Sequence, residues 1–186
     1  SLPEDPQRFN ELWNSLGRDE RDRIFQQDNS IGNRPGMPFA DRDTYNRIHL
    51  DRLQAASQVE VDTLQSRFDE LAARVYTGDH SGPTTEELRT LTPRLISARR
   101  QLDGYESVRG ALTGRDGVPR LLGLIDEHGN AAVSIGDPDF ARRTATFVPG
   151  TGQDMAAIDD SSRRSLDMFT ATLDADPSLS KRDVSI

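Results

Sequence analysis

Cysteine is absent from the 186 residues, which removes disulfides, thiol nucleophiles and thiolate metal sites together. Lysine is nearly absent as well. Lys181 is the single example, so the positive charge is almost all arginine, a bias that GC-rich genomes produce and that marks no site. Aromatic residues make up 6% of the chain and include one tryptophan, Trp13. No stretch approaches the ~18 apolar residues of a bilayer-spanning helix. No apolar signal-peptide core precedes the first charges either, so a cytoplasmic location is expected. The charge balance, 23 basic against 31 acidic residues, gives −8 and argues against nucleic acid or an anionic membrane as main partner. Hydrophobic residues at 34% suffice for a core, though not a thick one.

The convincing strand signals lie between Val118 and Met155. Leu121, Leu122, Leu124 and Ile125 form one short apolar run, and Ala131, Val133 and Ile135 alternate in a second. Asp126 to Asn130 between them reads as a hairpin loop, with Gly129 or Asn130 free to turn left-handed. A third strand is expected over Ala145 to Val148, running into Pro149-Gly150-Thr151-Gly152-Gln153. A helix over 154–173 and a fourth strand over Asp183 to Ile186 follow. This order describes the opening of an α/β sheet. A hydrophobic strand beginning so near the last residue carries the further expectation of a piece of a longer protein.

The first 117 residues read as helical. Phe9, Leu12, Trp13 and Leu16 keep the spacing of one buried face, Gly17 is placed to end that helix, and a second starts near Asp19-Glu20. Asp28 to Pro38 is dense in turn-forming residues; it reads first as a connector and second as a binding loop. From Asp41 to about Tyr76 runs one long helical pattern, with Asp41 or Asp43 as cap. After a Gly78–Pro83 break a return helix starts at Thr84 or Thr85 and runs to about Leu112, and Pro93 is expected to kink or restart it. Together these make a long antiparallel αα-hairpin with Arg-, Asp- and Glu-rich outer faces.

Little of the chain is a chemical motif. Gly150-x-Gly152 after a strand can offer backbone N–H groups to an anion. It lacks the third glycine of a dinucleotide fingerprint, Asp154 would repel a pyrophosphate, and no phosphate-loop lysine is present. There is no Gly-x-Ser-x-Gly, so no serine elbow. His49, His80 and His128 fall on a helix, a loop and a hairpin turn with no Ser or Asp partner by spacing. Asp159-Asp160 and Asp137/Asp139 are weak candidates for metal or acid–base work, and Asp137-Pro138-Asp139 is more naturally a turn. No metal or cofactor set emerges.

Ala131 to Asp139 (AAVSIGDPD) followed by Phe147-Val148-Pro149-Gly150-Thr151-Gly152 resembles the pattern of an actinobacterial family of uncharacterised α/β-hydrolases. Trp13-x-x-Leu16, Glu20-Arg21, Ile31-Gly32-Asn33, Gly36-x-Pro38, Arg42-Asp43 and Asn46 fall in that family's order, so the resemblance spans nearly the whole chain. It implies a helix-rich α/β protein. A helical region over 1–117, with the long hairpin, would precede the first strands of an incomplete hydrolase sheet over 118–186, an antiparallel hairpin and then parallel strands. It further implies that backbone N–H groups of Thr151, Gly152 and Gln153 help hold an oxyanion, while the serine, acid and histidine of a hydrolase lie outside these residues. The chain alone is then expected to be inactive. Its expected partners are the C-terminal remainder of the same protein or a complementary chain, with homo-oligomerisation a further option. The alternative is a non-catalytic helical module that binds a partner through the hairpin.

Overall fold

The computed structural model describes residues 2–114, 116–146 and 155–186. The chain is helix-rich, with one small antiparallel strand pair and one parallel pair. Two short helices come first, α1 (Pro6–Ser15) and α2 (Arg18–Gln27). Asp5 caps α1 by accepting from the Arg8 amide, and Glu20 reaches back to the amide of Gly17. Gly17 therefore opens α2 as its N-cap rather than closing α1. Phe9, Trp13 and Phe25 gather around Tyr45, with Trp13 edge-on to the Tyr45 ring at 5.6 Å. The buried polar atoms of this cluster are satisfied: Trp13 Nε1 donates to Asp41 and the Tyr45 hydroxyl to Asp22.

The long helix α3 spans Phe39–Tyr76 and the return helix α4 spans Gly82–Ala111. Both start earlier than their local sequence indicates, because the expected caps are used elsewhere. Asp41 holds Trp13 and Arg21, Asp43 accepts from the Leu122 amide, and Thr84 donates to Asp79. The amide at the start of α3, Phe39, is capped instead by the distant Asp139 carboxylate at 2.6 Å. Pro93 sits exposed inside α4, which continues through it without a restart. Val61, Leu64, Leu71, Leu91, Leu95, Ala98 and Leu102 form a seam made only of these two helices. Their outer halves thus stand as a two-helix arm.

β1 (Arg120–Ile125) and β2 (Ala131–Ile135) pair antiparallel, with a bulge between Leu122 and Leu124. Gly129 takes the left-handed turn in their loop at φ +88°. β3 is Arg143–Thr144, two residues before the strand expected at Ala145 to Val148; residues 147 and 148 lie outside the described set. It pairs parallel with β4 (Val184–Ser185), and the Ala145 amide adds a bond to the Ser185 carbonyl. Asp183 is not part of β4, because it closes a capping box with Ser180. Between β3 and β4 lies α5 (Ile158–Ala175), led in by a 3₁₀ turn over Met155–Ala157. Ile135 and Ile186 exchange both backbone bonds, at 2.9 and 3.0 Å, which makes them an antiparallel hydrogen-bonded pair. The two strand pairs thereby join in the order β1-β2-β4-β3.

Among the described residues no strand pairs with the outer edge of β1, yet its groups are paired. Arg47 donates to the Arg120 carbonyl, Asp43 accepts from the Leu122 amide, and Asn46 donates to the Leu122 carbonyl. Arg42 donates to the Gly123 carbonyl, and the Asn33 amide group takes both the N–H and C=O of Ile125. Asn33 places the Asp28–Pro38 stretch as a structured connector docked on the sheet. Asn33→Ala strands both groups of the fully buried Ile125 and should cost about 1–3 kcal/mol in urea unfolding. The surface control Asn14→Ala should stay within about 0.5 kcal/mol.

Candidate functional site

The parallel strands β3 and β4 end on the side where α5 begins, and in open α/β sheets ligands sit outside such strand ends. A cavity of about 450 Å³ opens there. Ser134, Thr146, Met155, Ile158, Ser165 and Ser185 are among its walls, with Val133 and Ile186. Met155 and Ile158 pack with Ala131 and Val133 to make its apolar side.

Its polar side rests on two buried hydroxyls. Ser134 Oγ donates to the Gly136 carbonyl at 2.9 Å and lies 2.9 Å from Ser185 Oγ. A carbonyl only accepts, so the Ser134 proton is committed to Gly136 and Ser185 must be the donor between the serines. Ser185 Oγ is left with acceptor capacity alone. Among the described wall residues there is no histidine, carboxylate or cation. A serine hydroxyl is a weak nucleophile until a base takes its proton, so the described walls by themselves could not start acyl transfer.

The turn that frames the cavity is held by Gly136. Its φ of +86° suits glycine, and a Cβ there would sit 2.2 Å from the Val184 carbonyl oxygen. Asp137 then accepts from the Asp139 amide, which leaves Asp139 to cap α3. The Gly-Asp-Pro-Asp turn is thus a staple between the sheet and the long helix, in which Asp137 and Asp139 each accept a backbone amide. Asp160 is ion-paired with Arg163 on α5. Among the described residues no three His, Asp or Glu side chains gather as a metal site requires.

Thr151, Gly152 and Gln153, the expected oxyanion donors, lie outside the described residues, as do Gly150 and Asp154. The residues flanking that segment, Thr146 and Met155, both border the cavity. The histidines stay apart from it. His80 is in the hairpin loop, and His128 is exposed beside Glu127 at 3.7 Å. His49 is buried on α3 with Nδ1 unpartnered. Sequence reasoning missed Ser134 and Ser185; the one available signal was a polar residue at the end of an otherwise apolar alternation.

No protein-family model, curated protein or solved structure matches the chain. No helix among the described residues is long and apolar enough to cross a membrane.

Two measurements probe this frame. Gly136→Ala should destabilise the protein by at least about 1–3 kcal/mol in urea unfolding, from backbone strain before any clash with Val184. Burial holds the His49 imidazole below its ordinary 6.5, against the upward pull of Glu127, the Asn29 backbone and Asp28, and with the help of Arg52. The unfolded chain therefore takes up a proton near 6.5 before the native state does. Stability should fall as pH drops from there toward the lower native value. Between about pH 7.5 and 5.5 the wild type should lose more stability than His49→Gln, read as the shift in urea midpoint.

Proposed function

We propose that this chain is the non-nucleophilic part of an α/β-type serine hydrolase, supplying the sheet's first strands and the oxyanion-hole loop. The observation that carries the reading is the β1-β2-β4-β3 order fixed by the reciprocal Ile135–Ile186 bonds, with α5 crossing between parallel β3 and β4. In α/β-hydrolases one oxyanion N–H comes from the loop between the third strand and the first sheet helix. Here that position belongs to residues 147–154, with Thr151, Gly152 and Gln153 as the donors. Backbone donors suit a cavity whose described walls carry hydroxyls but nothing that titrates. The nucleophile, acid and histidine are then contributed from outside these 186 residues, in accord with the missing Gly-x-Ser-x-Gly. An incoming acyl group would rest against Met155, Ile158 and Val133.

A second reading, a partner-binding helical module, draws on the arm. Its seam excludes the sheet, and it leaves Val59 and Ile96 more than half exposed and Tyr76 at its tip 93% exposed.

A fluorophosphonate probe, applied to the protein as purified from its source alongside the 186-residue chain, separates the readings. The hydrolase reading expects a labelled source protein whose intact mass exceeds that of the unlabelled chain. In that labelled protein Gln153→Pro, which deletes one backbone donor, should lower esterase turnover by about 10²–10³. An unlabelled source protein of the chain's own mass overturns it and leaves the arm as the functional element.

A further inference from the structure

The arm made by the outer halves of α3 and α4 has two unlike faces, and its cross-helix bonds tell them apart. On one face Arg67 bridges Glu87 of α4 and Glu70 of its own helix, so its charge is answered within the chain. On the other face Gln65 is bonded to Arg99. Steps of three and four residues from that bond trace one row along each helix. On α3 the row is Gln58, Asp62, Gln65 and Asp69, and on α4 it is Arg89, Thr92, Ile96 and Arg99. Asp62 and Asp69 accept only from Gln58 and Gln65 of their own row, and Arg99 reaches only Gln65. Arg89 is held by Glu86 alone, in an exposed pair. One helix thus presents two carboxylates and its neighbour two guanidinium groups, side by side on one face. Ile96, more than half exposed, lies between the two arginines.

The two rows run antiparallel and in step. The Gln65–Arg99 and Arg67–Glu87 bonds set the register, which puts Asp69 level with Arg89 and Asp62 level with Arg99, to within about one helical turn. A partner of a single charge sign would answer only one row. A surface with both signs in mirrored order answers both, and the arm is itself such a surface. We infer that this face binds a second copy of the same chain, with α3 of each copy lying on α4 of the other. The two-fold axis runs along the arm, because an axis across it would set acid on acid and arginine on arginine. Asp69 then meets Arg89 of the other copy and Asp62 meets Arg99, while Ile96 loses its exposure against the stem of Gln65. The contact is a narrow one between helix faces, which belongs to the weak and transient class of interfaces. It uses no residue of the cavity and holds whether or not the protein takes part in ester hydrolysis.

Sedimentation equilibrium on the 186-residue chain, taken to submillimolar concentration, reads the association. A monomer–dimer equilibrium is expected at about 0.1 M salt. Its dissociation constant should rise at least about tenfold at about 1 M salt, where the screening length has fallen to about 3 Å. Asp62→Arg with Asp69→Arg, and separately Arg89→Glu with Arg99→Glu, should each give a monomer, because every row then faces its own sign. An equimolar mixture of these two variants should dimerise again, since both row contacts are once more opposite in sign. Glu60→Arg is the control: Glu60 lies seven residues before Arg67, on the other face, and its reversal should leave dimerisation unchanged. Far-UV circular dichroism confirms that each variant is folded, and the salt series on the wild type decides the case where one is not. The inference is overturned if the wild type stays monomeric at the lower salt, if its association ignores salt, if Glu60→Arg weakens it as much as the double reversals, or if the mixed variants remain monomers. The fluorophosphonate labelling reads the hydrolase proposal separately, so either can fail alone.

Discussion

Everything in this protein hangs on how the outer edge of β1 is satisfied. A strand edge buried under a helix would leave a row of N–H and C=O groups unpaired, each costing about 1–3 kcal/mol. Here the first turns of α3 and the Asn33 side chain stand in for a neighbouring strand, residue by residue, from Arg120 to Ile125. Polar side chains that would otherwise be solvated are spent on main-chain groups. The arrangement closes the sheet on that side, since no further strand can pair with β1. It also fixes the root of α3, a helix about 57 Å long at ~1.5 Å per residue, and so sets the direction of the arm.

With one edge closed, the sheet grows only through β2. The Gly136 turn makes that growth possible, because glycine lets the backbone of β4 approach where any side chain would collide with Val184. The same turn sends Asp139 back to cap α3. Sheet and long helix are therefore tied twice, once along β1 and once through the cap. The buried Ser134–Ser185 contact adds a polar link between β2 and β4 inside this clamp.

Much of this frame was legible in the sequence, and the division follows physical lines. Apolar periodicity located α1 to α5, β1 and β2, because burial of one face is written locally. The caps were misjudged for the opposite reason. Asp41, Asp43 and Thr84 have good capping chemistry, but tertiary partners claim their oxygens, and α3 takes its cap from a residue 100 positions away. β3 begins at Arg143, ahead of the expected Ala145, because its pairing is decided by β4 and not by local apolar residues. Arg42 and Asn46 stand out in the sequence only as part of the resemblance, Asp43 also as a cap and Asn33 as part of a turn-rich stretch; no local rule says that any of them faces a strand edge. The serines of the cavity carried no functional signal, since serine within a strand is ordinary.

The cavity's chemistry follows from the same constraint. The described walls carry no titratable side chain, so any catalytic contribution from them must be electrostatic. Fixed backbone dipoles are effective in that role only if they need not reorganise as charge develops. In the hydrolase reading the oxyanion loop leaves β3 and enters α5, two elements that meet the clamped hairpin through the β2–β4 bonds and the packing of α5 on Ile135 and Val184. Loosening β1 from α3 would then let the donors drift while every donor remained chemically intact. The edge seal also reaches the cavity directly, since Arg42 lies over Phe39 and donates to the Gly123 carbonyl, and Phe39 and Gly123 both line the cavity.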